Sequence, residues 1–229
     1  MKKYFFYLLL IFCSARSHGQ QVSQINISFT PVFGKIPLVL ENYNYLANTV
    51  DSIKFEVLKF YISGIQLLND NNIAYSETNS FHLIDVFDKN SISCSLTIPS
   101  AISYNEIKFN LGIDSITNSS GVMGGDLDPT KGMYWTWQSG YINFKMEGIG
   151  SACTTRNHGF QFHIGGYQAP FNTLQTIRLK VNKEDLLQIF IDIKRFFETV
   201  DLVSHNHIMS PNKEALNFSV LLAKCFRTK

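Results

Sequence analysis

The side chains best suited to chemistry in this chain are imidazoles. Beyond the first twenty residues they are His82, His158, His163, His205 and His207, and Met209 adds a thioether two positions after the last of them. Imidazole nitrogen binds transition ions well, and a soft thioether beside it suits copper, above all reduced copper. His205, His207 and Met209 alternate with Asn206 and Ile208, so an extended backbone would turn all three donors to one face, whereas a helix would scatter them. His163 opposes Phe162 and Ile164 if that stretch is a strand, and His82 opposes Phe81 and Leu83. Each could then reach a site outside the main core. His158, between Asn157 and Gly159, reads as a turn residue.

Other chemistries find less support. No GxSxG elbow is present, and Cys153, although near His158, has no recognised protease context. Asp126 and Asp128 alternate as calcium ligands can, yet Pro129 follows at once and the remaining EF-hand positions are missing, so a turn is expected. Gly165-Gly166 lies in no phosphate-loop pattern and marks the end of a strand. Cys94, Cys153 and Cys225 show no CxxC spacing that would suggest zinc. One disulfide among the three is plausible in an oxidising compartment, with the pair undetermined by sequence.

The elements that must position these donors are mostly strands. Ile25, Ile27 and Phe29 alternate with polar residues, as do Ile107, Phe109 and Leu111, then Ile142, Phe144 and Met146, then Phe160, Phe162 and Ile164, then Ile177, Leu179 and Val181. Ile53, Phe55 and Val57 start one apolar phase and Leu58, Phe60 and Ile62 another, which a bulge near Val57 would reconcile. Gly, Asn, Asp and Pro clusters separate these runs, and the pattern predicts an all-β, antiparallel β-sandwich. A short C-terminal helix is expected from Asn212 to about Phe226, capped by Ser210 with Pro211 in its first turn and with Leu216, Val220 and Ala223 near one face. The longest irregular stretch, Asp114 to Gly140, is rich in Gly, Asp, Ser and Trp. Such segments in compact domains are often functional.

The start of the chain reads as a signal peptide over residues 1–20: Lys2 and Lys3, an apolar run from Tyr4 to Cys13, then small and polar residues to Gly19. The run is about half of the ~20 residues a membrane span needs, so no stable membrane span is expected. Residues 21–229 then form one domain, working in the periplasm or outside the cell. A net charge of +2 with no basic stripe gives no reason to expect nucleic acid as a partner.

Gly124 to Gly148 reads Gly-Gly-Asp-Leu-Asp-Pro-Thr-Lys-Gly-Met-Tyr-Trp-Thr-Trp-Gln-Ser-Gly-Tyr-Ile-Asn-Phe-Lys-Met-Glu-Gly. With Phe60 to Leu67, Leu111 to Ser115 and Phe160 to Tyr167, it resembles the signature of the MbnP-like family of exported copper-binding proteins. The resemblance implies a β-sandwich, a bound copper ion and a role in copper acquisition, storage or delivery rather than enzyme activity. It further implies, in some members, oxidation of one tryptophan of the WxW pair to kynurenine by a dihaem enzyme resembling MauG. Trp135 and Trp137 occupy those positions, and the opened ring would offer an aniline nitrogen beside a ketone. Which of the two is modified stays open. A rival reading makes Tyr134, Trp135, Trp137 and Tyr141 an aromatic platform for carbohydrate.

Overall fold

The computed structural model describes residues 21–45, 51–138 and 140–229; the expected leader over residues 1–20 lies outside them. In chain order the strands are β1 (Val22–Phe33), β2 (Ile36–Pro37), β3 (Tyr43–Tyr45), β4 (Ser52–Asn69), β5 (Asn72–Ser76), β6 (Phe81–Asp85), β7 (Ser93–Pro99), β8 (Glu106–Leu111), β9 (Tyr134–Trp135), β10 (Gly140–Gly150), β11 (Gly159–Gly165), β12 (Gln175–Lys180), β13 (Leu186–Asp192), β14 (His207–Ile208) and β15 (Phe226–Arg227). Among the described residues, three short α-helices join them, α1 (Ser115–Ser119), α2 (Lys194–Phe197) and α3 (Lys213–Ala223), with 3-10 turns at Gly125–Leu127 and Pro129–Lys131.

The strands make two sheets, as the alternating pattern requires. The smaller runs β15-β13-β1-β2 with β7 on β1; the larger runs β12-β8-β4-β10-β11-β14, with β3, β5 and β6 on β4 and β9 on β10. Pairing is antiparallel throughout except for β1 with β13 and β11 with β14, which are parallel. The expected sandwich is present, then, with two parallel joins that strand-by-strand patterning does not reveal. Between the sheets lies an aromatic core. Phe29 of the small sheet meets Phe60 and Phe109 of the large one edge-to-face, with centroids 6.4 and 5.9 Å apart. Truncating one such buried ring to alanine costs about 3–5 kcal/mol.

Long β4 bends the large sheet. Glu147 pairs with Val57 and Gly148 with Phe55, leaving Glu56 as the extra residue of a bulge where the apolar phase changes. At Gly148 an added Cβ would stand 2.1 Å from the Lys54 carbonyl oxygen, so only glycine fits against the bulge. A second bulge separates Ile142 from Phe144 on β10. Phe144 and Met146 consequently face the main core, whereas Ile142 joins a second cluster; one continuous face through all three, as the alternation predicts, does not form.

That second cluster lies on the outer face of the large sheet. Tyr61, Leu83, Ile113, Leu127, Met133, Trp135, Tyr141 and Ile142 compose it, and the irregular segment after Asp114 is its lid. Buried amides fasten the lid. Asn118 donates to the Ile113 and Asp114 carbonyls and accepts from the Tyr141 amide, while Asn143 accepts from the Ile113 amide and donates to Thr173 Oγ1. An unpaired buried amide would cost about 1–3 kcal/mol, so these contacts fix the segment rather than decorate it.

Two expectations need correction. Asn212, not Ser210, caps α3 by accepting from the Ala215 amide, and the helix buries Ala215, Phe218, Ser219 and Leu222 instead of the face through Leu216, Val220 and Ala223. The aromatic Phe218 packs on Phe162 and Phe196 and so decides the helix rotation. Cys94, Cys153 and Cys225 are all free thiols, and burial raises each pKa. Among the described residues no helix is long and apolar enough to cross a membrane.

Candidate metal centre

Three adjacent strands build the site. On β10 and β11, Lys145 faces His163 and Glu147 faces Gln161; on β14, His207 lies beside Gln161 and Ile208 beside Phe162. Because Phe162, Phe144, Met146 and Ile208 point into the main core, strand alternation turns Lys145, Glu147, Gln161, His163 and His207 to the outer face. Continuing the β14 register by one residue sets Met209, which is half-buried, alongside His163.

His163 is only 6 % exposed. Its Nε2 lies 2.6 Å from Glu147 Oε1, while its Nδ1 is buried and has no partner. Burial pushes the imidazole pKa down, the Glu147 hydrogen bond pulls it back, Lys145 and His207 press it down again, and the balance falls below the ordinary value. The ring is therefore neutral near pH 7, in the form that ligates metals. Burial raises Glu147, but the bond from His163 and the Lys145 charge outweigh that and keep it ionised. A short N–H···O⁻ bond, rather than an ion pair, joins the two.

Lys145 Nζ is 3.3 Å from Glu147 Oε1 and 3.4 Å from the carbonyl oxygen of Gly132 in the irregular segment. Three residues on, the Trp135 ring stands on Gly165, two positions from His163 along β11. A Cβ at Gly165 would lie 2.7 Å from Trp135 Cζ3, so this strand end must be glycine for the indole to seat. Trp135 is 5 % exposed and its Nε1 is also buried without a partner. Trp137 is 65 % exposed, its ring 5.8 Å from that of Trp135 and tilted by 46°. A cavity of about 250 Å³ lined by Trp135, Tyr167, Gln168, Phe171 and Pro211 borders the buried indole. A groove of about 480 Å³ lined by Glu56, Glu147, Arg156, Gln161, Asn206 and His207 opens on the other side.

Not every expected donor joins this group. His82 sits opposite Ile62 on β6, in phase with the core residue Ile84, and so on the other face of the sheet from His163. Its Nε2 bonds Glu77 at 2.9 Å. The strand order β6-β4-β10-β11 also separates the two histidines by roughly 14 Å at ordinary strand spacing. His205 precedes β14 rather than continuing it. Its side chain is 3.7 Å from Glu214 and its ring lies against Phe218, whose packing on Phe162 marks the main-core side. The one-face alternation of His205, His207 and Met209 is thus broken at His205, because α3 draws that ring away. His158, at φ 54°, bonds the Cys153 carbonyl and is a turn residue. Asp126 is held by Lys131 and the Leu83 amide, and Asp128 caps the 3-10 turn at Thr130, which leaves the turn reading intact. Of the four residues in the carbohydrate platform, Trp135 and Tyr141 are buried and only Trp137 is broadly exposed.

Among the described residues no group of three or more His, Cys, Asp or Glu side chains is set to hold a metal ion. Met209 adds a thioether, a donor type that lies outside such a group. The bare Nδ1 of His163, with the His207 imidazole and the Met209 thioether on the neighbouring strand, gives a nitrogen and sulfur set that suits copper chemistry. Sequence reasoning missed Glu147 and Lys145. Their alternation with Met146 was visible, but the β10–β11 register that lays them against His163 was not.

A family model described as MbnP matches residues 22–210. Among solved structures, MbnP from Methylosinus trichosporium superposes with a TM-score of 0.63 at 15 % identity, covering 86 % of this chain and 87 % of that one. At that identity the likeness speaks for the fold. No curated protein matches the chain.

Proposed function

The chain belongs to the MbnP family, and we propose that it is an exported, non-enzymatic protein of the cell envelope that binds copper for acquisition, storage or delivery. His163 is the anchoring ligand, with His207 and Met209 completing the donor set from β14. The observation that supports this most directly is the bare, buried Nδ1 of a neutral His163 beside that strand. A buried polar atom without a partner costs about 1–3 kcal/mol, which a bound ion would recover. Trp135 and Trp137 remain the candidates for oxidation to kynurenine by a dihaem MauG-like enzyme, which would add a nitrogen donor beside the same face. When bound, copper supplies only a coordination partner; the protein excludes water, orients the imidazole and keeps it unprotonated.

The test is retention. Purified protein loaded with copper(I) should hold the ion through desalting, and a His207→Ala/Met209→Ala double variant should release it. Full retention by the double variant would remove β14 from the site. Mass spectrometry of the peptide carrying Trp135 and Trp137, from cells that produce a dihaem oxidase, checks the modification.

A further inference from the structure

We propose that Glu147 is a positioning residue that selects which nitrogen of His163 is offered to metal. The proposal rests on the copper reading of His163 given above and deepens it. A carboxylate can only accept, so the 2.6 Å contact of Glu147 Oε1 with Nε2 places the single proton of the neutral ring on that nitrogen. Nδ1 must then carry a lone pair. It is this atom that is buried and without a partner.

Lys145 holds the carboxylate from the other side, 3.3 Å from the same oxygen, and its 3.4 Å contact with the Gly132 carbonyl links the arrangement to the segment that carries Trp135. A His–Glu pair serving stability alone has no need to leave one imidazole nitrogen dry and unbonded, since that state is unfavourable by itself. The geometry instead matches a carboxylate fixing the ring and tautomer of a metal-ligating histidine. Such outer partners are worth 10–100-fold in metal affinity when replaced.

The experiment reads the tautomer directly. In metal-free protein labelled with ¹⁵N-histidine, NMR of wild type should show His163 protonated at Nε2 and bare at Nδ1. This measurement needs no variant to fold. Glu147→Gln, whose amide can donate to Nε2, should shift the ring toward the Nδ1-protonated form and weaken copper(I) binding, measured against a competing chelator, by about 10–100-fold. Glu147→Asp should restore part of both. A wild-type ring protonated at Nδ1, or a Glu147→Gln protein with unchanged tautomer and affinity, overturns the proposal. If His163→Ala binds copper(I) as tightly as wild type, the copper reading fails and takes the metal-binding half with it; an unchanged tautomer in Glu147→Gln overturns the positioning role alone.

Discussion

Two histidine–carboxylate pairs lie on opposite faces of the large sheet, and they are chemically alike up to a point. His82 Nε2 bonds Glu77 at 2.9 Å and His163 Nε2 bonds Glu147 at 2.6 Å, and each glutamate is held below its ordinary pKa despite partial burial. The difference is in the other nitrogen. The His82 side chain is 21 % exposed at the strand β6, beside a polar groove, whereas that of His163 is 8 % exposed and keeps a buried, unbonded Nδ1. A paired imidazole is a common structural device; a paired imidazole whose remaining nitrogen is buried and unbonded is the feature on which the proposed copper site rests.

The widest separation of the two should come from removing each ring. His163→Ala is expected to lower copper(I) affinity on the order of 100-fold or more, above what loss of an outer partner does, while His82→Ala stays within about twofold. A competition titration of both variants checks it. Equal losses would erase the distinction, and a loss confined to His82→Ala would reverse it.

A smaller effect should follow from disturbing the lid where Trp135 seats on β11, two positions from His163. Gly165→Ala drives a methyl group to within 2.7 Å of Trp135 Cζ3 and within 2.7 Å of the Tyr141 carbonyl oxygen, and the backbone contact cannot yield as a side chain could. Overpacking of this kind costs about 1–3 kcal/mol. Urea unfolding should report that loss, and tryptophan emission should shift as Trp135 meets water. An unchanged midpoint with unchanged emission would mean the indole does not depend on this glycine.

Much of the fold was legible because one face of each strand is apolar, and alternation alone locates such strands. The bulge by Val57 was readable for the same reason: Ile53 and Phe55 are out of phase with Leu58 and Phe60, and both pairs are buried. What alternation cannot supply is register. His163 and His82 look equivalent in sequence, each opposing apolar neighbours, yet the neighbours of His163 enter the main core while Leu83 enters the outer cluster, which inverts the face. His205 was misplaced because the attraction of its ring to Phe218 and Glu214 is a tertiary contact with a helix whose rotation the sequence left open. Trp135 and Trp137 stand two residues apart and differ completely in exposure, and the buried one seats against a glycine in a distant strand that its own sequence neighbourhood does not reveal.

The smallest expected effect concerns the more exposed pair, His82 and Glu77, and separates it by pH. Burial raises the Glu77 carboxyl, but hydrogen bonds from His82 and Ser80 and the His82 charge lower it further, leaving the folded value below 4.5. The folded protein thus takes up this proton less readily than the unfolded chain. Stabilisation from Glu77 is complete above about 4.5 and is lost as the pH falls through the lower folded value. Glu77→Gln, which cannot ionise, should be less stable than wild type at pH 7, by less than Gly165→Ala, and the gap should close on acidification below about 4.5. Copper(I) affinity of this variant should match wild type at pH 7, since Glu77 serves the face away from His163. Urea midpoints across a pH series, with one chelator titration, check both parts. A gap that persists to the lowest pH would assign Glu77 a packing role, and a drop in affinity would show that the two faces are coupled through β4.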